Sequence, residues 1–220
     1  MIGGSSDIGA AVAAELAGLG HAVTVWGRDA ERLRAAADTV DVVDVRDHAA
    51  LPAAVRRVAD RGPLAVVVHA AGIFDWGPAD AADPGRWAEL IAVNLTSAAV
   101  LTPLVLPHLL AAAPSALIYL GSGAAHQAYP NNAAYVASKH GLAGLAAATF
   151  LDVRDRDVKV SLVSPGLVAA GAGLWSAAGR DRPESLLAPA DVASAVRFVV
   201  TFPARGCPTE IRLQPQRSPD

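Results

Sequence analysis

Short apolar runs with no room for a wet face alternate with long Ala-rich stretches, and this constrains the fold more than any single residue. The runs at 22–26, 40–43, 64–69, 116–120, 158–163 and 210–213 are dense in Val, Ile and Leu. Several lack polar alternation, as expected of parallel strands covered on both faces. Between them, 8–19, 30–39, 49–60, 86–113, 133–152 and 190–202 carry apolar residues at helical spacing. The alternation predicts an α/β fold, a Rossmann-like doubly wound parallel sheet flanked by helices, with ligands beyond the carboxyl ends of the strands. With no repeat and no low-complexity linker, residues 1–220 are expected to form a single domain.

Composition removes several function classes. Hydrophobic residues make up 53% and charged residues 18%, which excludes a disordered chain. A net charge of −3 gives no basic field for nucleic acid or an anionic membrane. A single cysteine, Cys207, allows neither an internal disulfide nor a Cys-based zinc site. His21, His48, His108, His126 and His140 share no metal-ligand spacing, so no metal is expected. The first residues, Met1 to Asp7, show neither a basic start nor an apolar run, so no signal peptide is expected. The stretch 95–113 is interrupted by Pro103, Pro107 and His108, and reads as a kinked buried helix rather than a membrane span. A cytoplasmic protein is the expectation.

Gly3-Gly4-Ser5-Ser6-Asp7-Ile8-Gly9 opens directly into the helical stretch. Such a turn offers backbone N–H groups and the positive end of a helix dipole to a phosphate. It also suits an ordinary turn with Asp7 as helix N-cap. Only Met1 and Ile2 precede it, so the first strand reads as truncated, either a two-residue stub or one whose true start lies upstream. The strand at 22–26 ends in Gly27-Arg28-Asp29. Arg28, with Ser5 and Ser6, can grip a 2′-phosphate, while Asp29 fits the N-cap of the next helix; NADP(H) is thereby favoured over NAD(H).

Tyr135 and Lys139 are four residues apart, on one helix face, so phenol and ammonium can share a cleft. A neighbouring cation should favour the ionised phenol and make it a better acid/base near neutrality. Ser122 stands thirteen residues before Tyr135, just past a strand, where a hydroxyl can donate to a developing oxyanion.

Together these residues resemble the short-chain dehydrogenase/reductase family, from Gly3 to about Pro215. The family turn T-G-x-x-x-G-x-G is matched at Gly3 and Gly9, with Ile2 for Thr and Asp7 for the middle glycine, and its Y-x-x-x-K is Tyr135/Lys139. The resemblance implies an NAD(P)-binding domain in which Asn94, Ser122, Tyr135 and Lys139 are catalytic. Further cofactor contacts then fall on Gly3, Ser5, Ser6, Ile8, Gly9, Arg28, Asp44, Val45, Ala70, Ala71, Gly72, Pro165, Gly166 and Val168, besides Tyr135 and Lys139. His69-Ala70-Ala71-Gly72 is a weakened N-N-A-G, Asp44 the acidic residue on the adenine side, and Ala170 replaces a Thr that binds the carboxamide. It implies reversible hydride transfer between nicotinamide and a carbonyl compound or secondary alcohol. Asn94 would support a proton-relaying water. The end of the chain is similar to family reductases acting on small hydroxy acids and diverse carbonyls. The long helices imply a homodimer or homotetramer.

The substrate cleft should be bordered by Phe74, Trp76, Ala124, Gln127, Tyr129 and a mobile Gly/Ala/Ser-rich segment at 167–187, short on aromatic anchors but including Trp175. Four aromatics there suit a small, apolar or ring-bearing carbonyl compound, and equally suit packing under a loop. A rival reading is a non-catalytic dinucleotide-binding sensor or interaction module, favoured by the altered turn, or a truncated inactive product. The full Asn94/Ser122/Tyr135/Lys139 set favours the enzyme.

Overall fold

The predicted alternation is present throughout the computed structural model, which describes residues 1–217. In chain order the elements are α1 (Asp7–Gly18), β1 (Thr24–Gly27), α2 (Ala30–Ala36), β2 (Thr39–Val42), α3 (Leu51–Ala59), β3 (Val66–His69), α4 (Pro84–Ile91), α5 (Ser97–Ala111), β4 (Ser115–Leu120), α6 (Ala133–Val153), β5 (Val158–Pro165), α7 (Ala177–Asp181), α8 (Pro189–Thr201) and β6 (Glu210–Leu213). The helix expected at 30–39 stops at Ala36, and Thr39 already begins β2.

All strand pairs are parallel: β1 with β2, and β3-β4-β5-β6 in that order. Residues 1–2 join the two ladders. Ile2 bridges Trp26 on β1 and His69 on β3. Its N–H donates to the Val68 carbonyl at 2.8 Å, and its carbonyl accepts from Ala70 at 2.9 Å. The Trp26 N–H donates to the Met1 carbonyl at 2.8 Å. The two-residue stub therefore occupies the first-strand position and closes the middle of the sheet at the end facing the glycine turn. Toward the other end a cavity of about 30 Å³ remains, lined by Met1, Thr24, Trp26, Val66 and Val105 among others.

β4 is buried along its whole length and sorts the protein into layers. Leu117 and Tyr119 join one core with Leu51 and Val55 of α3, Leu101 and Val105 of α5, and Leu142 of α6. Ala116, Ile118 and Leu120 face the opposite core, with Val12 and Leu16 of α1 and Val192 and Val196 of α8. Alternate side chains of one strand thus feed two helical layers, which is why no polar alternation shows in the sequence. The edge strands β2 and β6 keep partly exposed residues, as strands with less cover do.

The helix expected at 86–113 runs Pro84–Ala111 and is long and apolar enough to cross a membrane. Here Leu90, Leu101, Val105 and Leu109 pack it into the protein interior. α5 continues through Pro103 and Pro107, and the departure from α-geometry lies earlier, in a π-helical turn at Ala92–Thr96 that carries Asn94. Segment 167–187 is more ordered than its composition suggested. It contains 3-10 turns at Gly171–Trp175 and Pro183–Ser185 around α7, and a Val168–Leu187 bridge ties its ends.

Ile2 is 5% exposed between two strands, whereas Val42 on β2 is 58% exposed. Ile2→Ala is expected to cost about 2–5 kcal/mol in chemical denaturation. Val42→Ala should stay within about 0.5 kcal/mol. Equal effects would contradict the joining role of residues 1–2.

Candidate active site

Because every strand is parallel, the segments leaving their carboxyl ends meet on one side of the sheet. These are the turn after Ile2, Arg28 after Gly27 at the end of β1, 70–72 after β3, Ser122 after β4 and Gly166 after β5. The candidate residues lie there.

Gly3 has φ +85°, and a Cβ on it would lie 2.7 Å from the Ala71 nitrogen. A Cβ on Gly9 would lie 2.2 Å from the Gly3 carbonyl oxygen. Only glycines let this turn pass between the start of α1 and Ala70-Ala71, so the backbone at the dipole end of α1 stays unshielded by side chains. Such a cradle fits the pyrophosphate of a nicotinamide dinucleotide. The N-cap is Ser6, not Asp7: its Oγ accepts from Gly9 at 3.0 Å and donates to the Gly3 carbonyl at 2.9 Å. Ser6 is thus committed to the turn rather than to a phosphate grip. Asp7 begins α1 with its carboxylate 61% exposed, 4.0 Å from Arg32, and does not fill the cradle.

Ser5 packs over the end of β1, where a Cβ on Gly27 would lie 2.8 Å from its Oγ. Arg28 is exposed beside it, while Asp29 Oδ1 accepts from Glu31 and Arg32 at 3.1 Å each and so caps α2 as expected. Asp44 is clamped by Arg46, whose Nη2 donates to Oδ2 at 2.6 Å, and Arg46 also reaches Glu89 at 2.8 Å. That clamp holds the Asp44 carboxyl below its ordinary pKa. Its side chain is engaged with Arg46 on the adenine side of the expected site. Val45 is buried next to it.

Ser122 Oγ accepts from the Ala124 N–H at 3.2 Å, and its hydroxyl lies near enough to the Tyr135 phenol to favour the ionised form. Lys139 Nζ is buried, donates to the Leu120 carbonyl at 2.8 Å, and lies 5.6 Å from the Tyr135 ring centre. Burial lowers the Lys139 pKa to about 8. Tyr135 departs from expectation: desolvation pushes its phenol above its ordinary value, against the smaller opposing effect of the Ser122 hydroxyl. Lys139 points to a backbone carbonyl, and the phenol pKa ends above its ordinary value rather than below it.

Asn94 faces the same cleft. A Cβ on Gly72 would sit 3.5 Å from Asn94 Oδ1 and 3.8 Å from Lys139 Nζ. Its amide braces Ile73, accepting from its N–H at 2.7 Å and donating to its carbonyl at 2.9 Å. Its Nδ2 also donates to Ser138 Oγ at 3.2 Å, and Ser138 donates to the Tyr135 carbonyl at 2.7 Å. Both amide donors are spent on protein, so Nδ2 is not available to a relay water. Ser138 was legible only as a small residue beside Lys139; its link between the π turn and the Tyr135 helix needs the fold.

His69 supports this wall from beneath. Ser97 Oγ donates to the Val93 carbonyl at 2.7 Å, so His69 Nε2 must be the donor to Ser97 Oγ at 2.9 Å. Nδ1 is then a bare acceptor, buried without a partner among the described residues. Burial, then the Lys139 charge, lowers the His69 pKa to about 3. Across the cleft Pro165 ends β5, a Cβ on Gly166 would strike Gln214, and Val168 and Ala170 are buried at the root of segment 167–187. Phe74 sits edge-on to Tyr135 with ring centres 5.0 Å apart, and Trp76 and Trp175 flank Phe74 at 6.3 and 6.1 Å. Segment 167–187 is thus anchored by an aromatic contact.

The sequence matches the short chain dehydrogenase family model over residues 1–178. It is 28% identical over 217 residues to D-threitol dehydrogenase of Mycolicibacterium smegmatis, covering 90% of this chain and 84% of the relative. It is 35% identical over 127 residues to trans-4-hydroxycyclohexanecarboxylate dehydrogenase of Sinomonas cyclohexanicum, covering 57% of this chain and 49% of that one. Among solved structures, a metagenomic short-chain oxidoreductase in complex with NADP superimposes with TM-score 0.84 and 31% identity, over 98% of this chain and 96% of the other.

His69 gives the site a pH signature. Unfolded, an imidazole takes up a proton near pH 6.5, whereas the folded one resists it until about 3. Its contribution to stability is therefore complete above pH 6.5 and declines as pH falls toward 3, by up to about 1.4 kcal/mol per unit. Denaturation midpoints of wild type and His69→Asn should diverge in slope between pH 6.5 and 4. Parallel slopes would remove the buried neutral imidazole.

Proposed function

The chain belongs to the short-chain dehydrogenase/reductase family of oxidoreductases, and from that premise we propose an NADP(H)-dependent carbonyl reductase or alcohol dehydrogenase acting reversibly on a small apolar carbonyl compound or secondary alcohol. The observation that carries the proposal is the convergence of the Ser122 hydroxyl, the Tyr135 phenol and the Lys139 amine beside the glycine cradle. Two relatives are named as dehydrogenases of D-threitol and of trans-4-hydroxycyclohexanecarboxylate, both alcohols, which supports the same reaction class.

The nicotinamide, when bound, supplies hydride to the carbonyl carbon or accepts it in reverse. Tyr135 transfers its proton to the carbonyl oxygen, and its raised pKa keeps that proton in place at neutral pH. Ser122 has an oxygen lone pair engaged by Ala124, leaving its O–H to donate to the same oxygen as charge builds there. Lys139 spends one N–H on Leu120 and keeps others for the nicotinamide ribose. With a pKa of about 8 it can also pass a proton toward Tyr135 near neutrality. Asn94 holds Ile73 and, through Ser138, the Tyr135 helix.

Arg28 supports NADP(H) over NAD(H). It is exposed beside Ser5 and Gly27, while Asp29, the nearby carboxylate that would suit a free 2′-hydroxyl, is used as a helix cap. A single NAD(P)-binding domain, assembled as a homodimer or homotetramer in the cytoplasm, belongs to the same proposal. α6 leaves Leu151 63% exposed, and the lone Cys207 suits a reducing compartment. Light scattering that reads a monomer would remove the assembly.

Calorimetry should give micromolar NADPH binding and weaker NADH binding. Arg28→Ala should weaken NADPH by about tenfold or more while barely changing NADH. Tyr135→Phe should lower turnover by about 10²-fold or more with NADPH binding retained. No binding of either dinucleotide to folded protein, or substantial turnover by Tyr135→Phe, would overturn the proposal.

A further inference from the structure

Two of the four tryptophans lie largely in solvent at one place. Trp76 is 57% exposed and Trp175 is 63% exposed. They come from distant segments, one after β3 and one in the 3-10 turn after β5, and both rings approach Phe74. Phe74 is nearly parallel to Trp76, at 24°, and meets Trp175 and Tyr135 edge-on, at 61° and 73°. The cluster therefore runs from the proposed proton donor outward. Neither tryptophan belongs to either large core cluster, so their exposed faces are not explained by packing of the fold.

The neighbouring charges are turned away from the rings. Arg86 bonds Glu89 at 2.8 Å and the Phe74 carbonyl at 3.3 Å. Arg180 donates to the Trp175 carbonyl. Asp75 Oδ1 accepts the Trp76 N–H at 3.0 Å. Each holds backbone or an opposite charge, so these three leave the ring faces uncovered. Bare ring faces suit an apolar ring better than a small polyol or hydroxy acid, whose groups call for polar or cationic partners.

Resting on the reading of this cleft as a carbonyl reductase site, we propose that the substrate carries a six-membered or aromatic ring next to the reacting carbonyl, held against the exposed faces of Trp76 and Trp175 beside Phe74. Aromatic side chains bind a ring by burying large apolar faces and by offset or edge contacts. Trp175 sits on segment 167–187, whose ends are tied by the Val168–Leu187 bridge at the root of the site. The two tryptophans are specificity residues, and Phe74 links them to Tyr135.

The test compares NADPH-dependent reduction of acetophenone and cyclohexanone with that of butanone and acetoacetate. Wild type should prefer the ring ketones in kcat/KM by at least about tenfold. Trp175→Ala and Trp76→Ala should each reduce that preference ratio severalfold, and Trp175→Phe should restore part of it. Preference for butanone or acetoacetate, or a ratio unchanged in both alanine variants, overturns the ring pocket while leaving carbonyl reduction intact. Failure of the reductase reading looks different: no ketone is reduced although NADPH binds. The pocket is then decided by calorimetry of acetophenone against butanone on the same protein with NADP⁺ present, where tighter acetophenone binding lost in Trp175→Ala supports it and equal or no binding overturns it.

Discussion

Met1 and Ile2 hold together what would otherwise be two separate ladders, and the cofactor cradle is built directly on that join. Ile2 shares backbone hydrogen bonds with β3 and lies against Trp26 of β1; the next residue, Gly3, turns into α1 through a left-handed φ. The position of the dipole end of α1, and the alignment of β1 with β3, both follow from this short contact. Parallel pairing then does the rest, since it delivers the residues after β1, β3, β4 and β5 to the same side of the sheet.

At the reacting end, burial rather than ion pairing sets the protonation states. Desolvation lowers Lys139 to about 8 and His69 to about 3, and it raises Tyr135. These shifts oppose charge on every one of the three groups, as expected where water is excluded. The polar atoms are satisfied locally: Lys139 on Leu120, Asn94 on Ile73, His69 on Ser97. A neutral, mostly protonated phenol is a proton donor, which matches carbonyl reduction better than a preformed phenolate would.

Much of the machinery was legible because it is local in sequence. Gly3 and Gly9 read as a turn into a helix, Tyr135 and Lys139 as one helical face, and Asp29 as a cap, since each depends on residues a few positions apart. The errors fall where the deciding partner is remote or where neighbours compete. Ser6 displaced Asp7 as the cap because its hydroxyl reaches the Gly9 N–H. The Tyr135 phenol was expected to be depressed by Lys139, yet burial raises it, while Lys139 donates to the Leu120 carbonyl nineteen positions away. Segment 167–187 looked loose by composition, but the Leu187 bridge and the Phe74 ring organise it.

The sequence by itself determined the parallel α/β architecture, the glycine turn and the Tyr135/Lys139 face, because hydrophobic period and short-range backbone chemistry specify those without knowledge of distant partners. It also carried Arg28 as a charge at the end of a strand. Only the tertiary structure decided that residues 1–2 close the sheet, that Arg46 clamps Asp44, that Ser138 couples Asn94 to the Tyr135 helix, and that Trp76 and Trp175 meet at Phe74. Those outcomes depend on contacts between segments far apart in the chain and on how much water the packed core excludes, and neither quantity is written in any local stretch of residues.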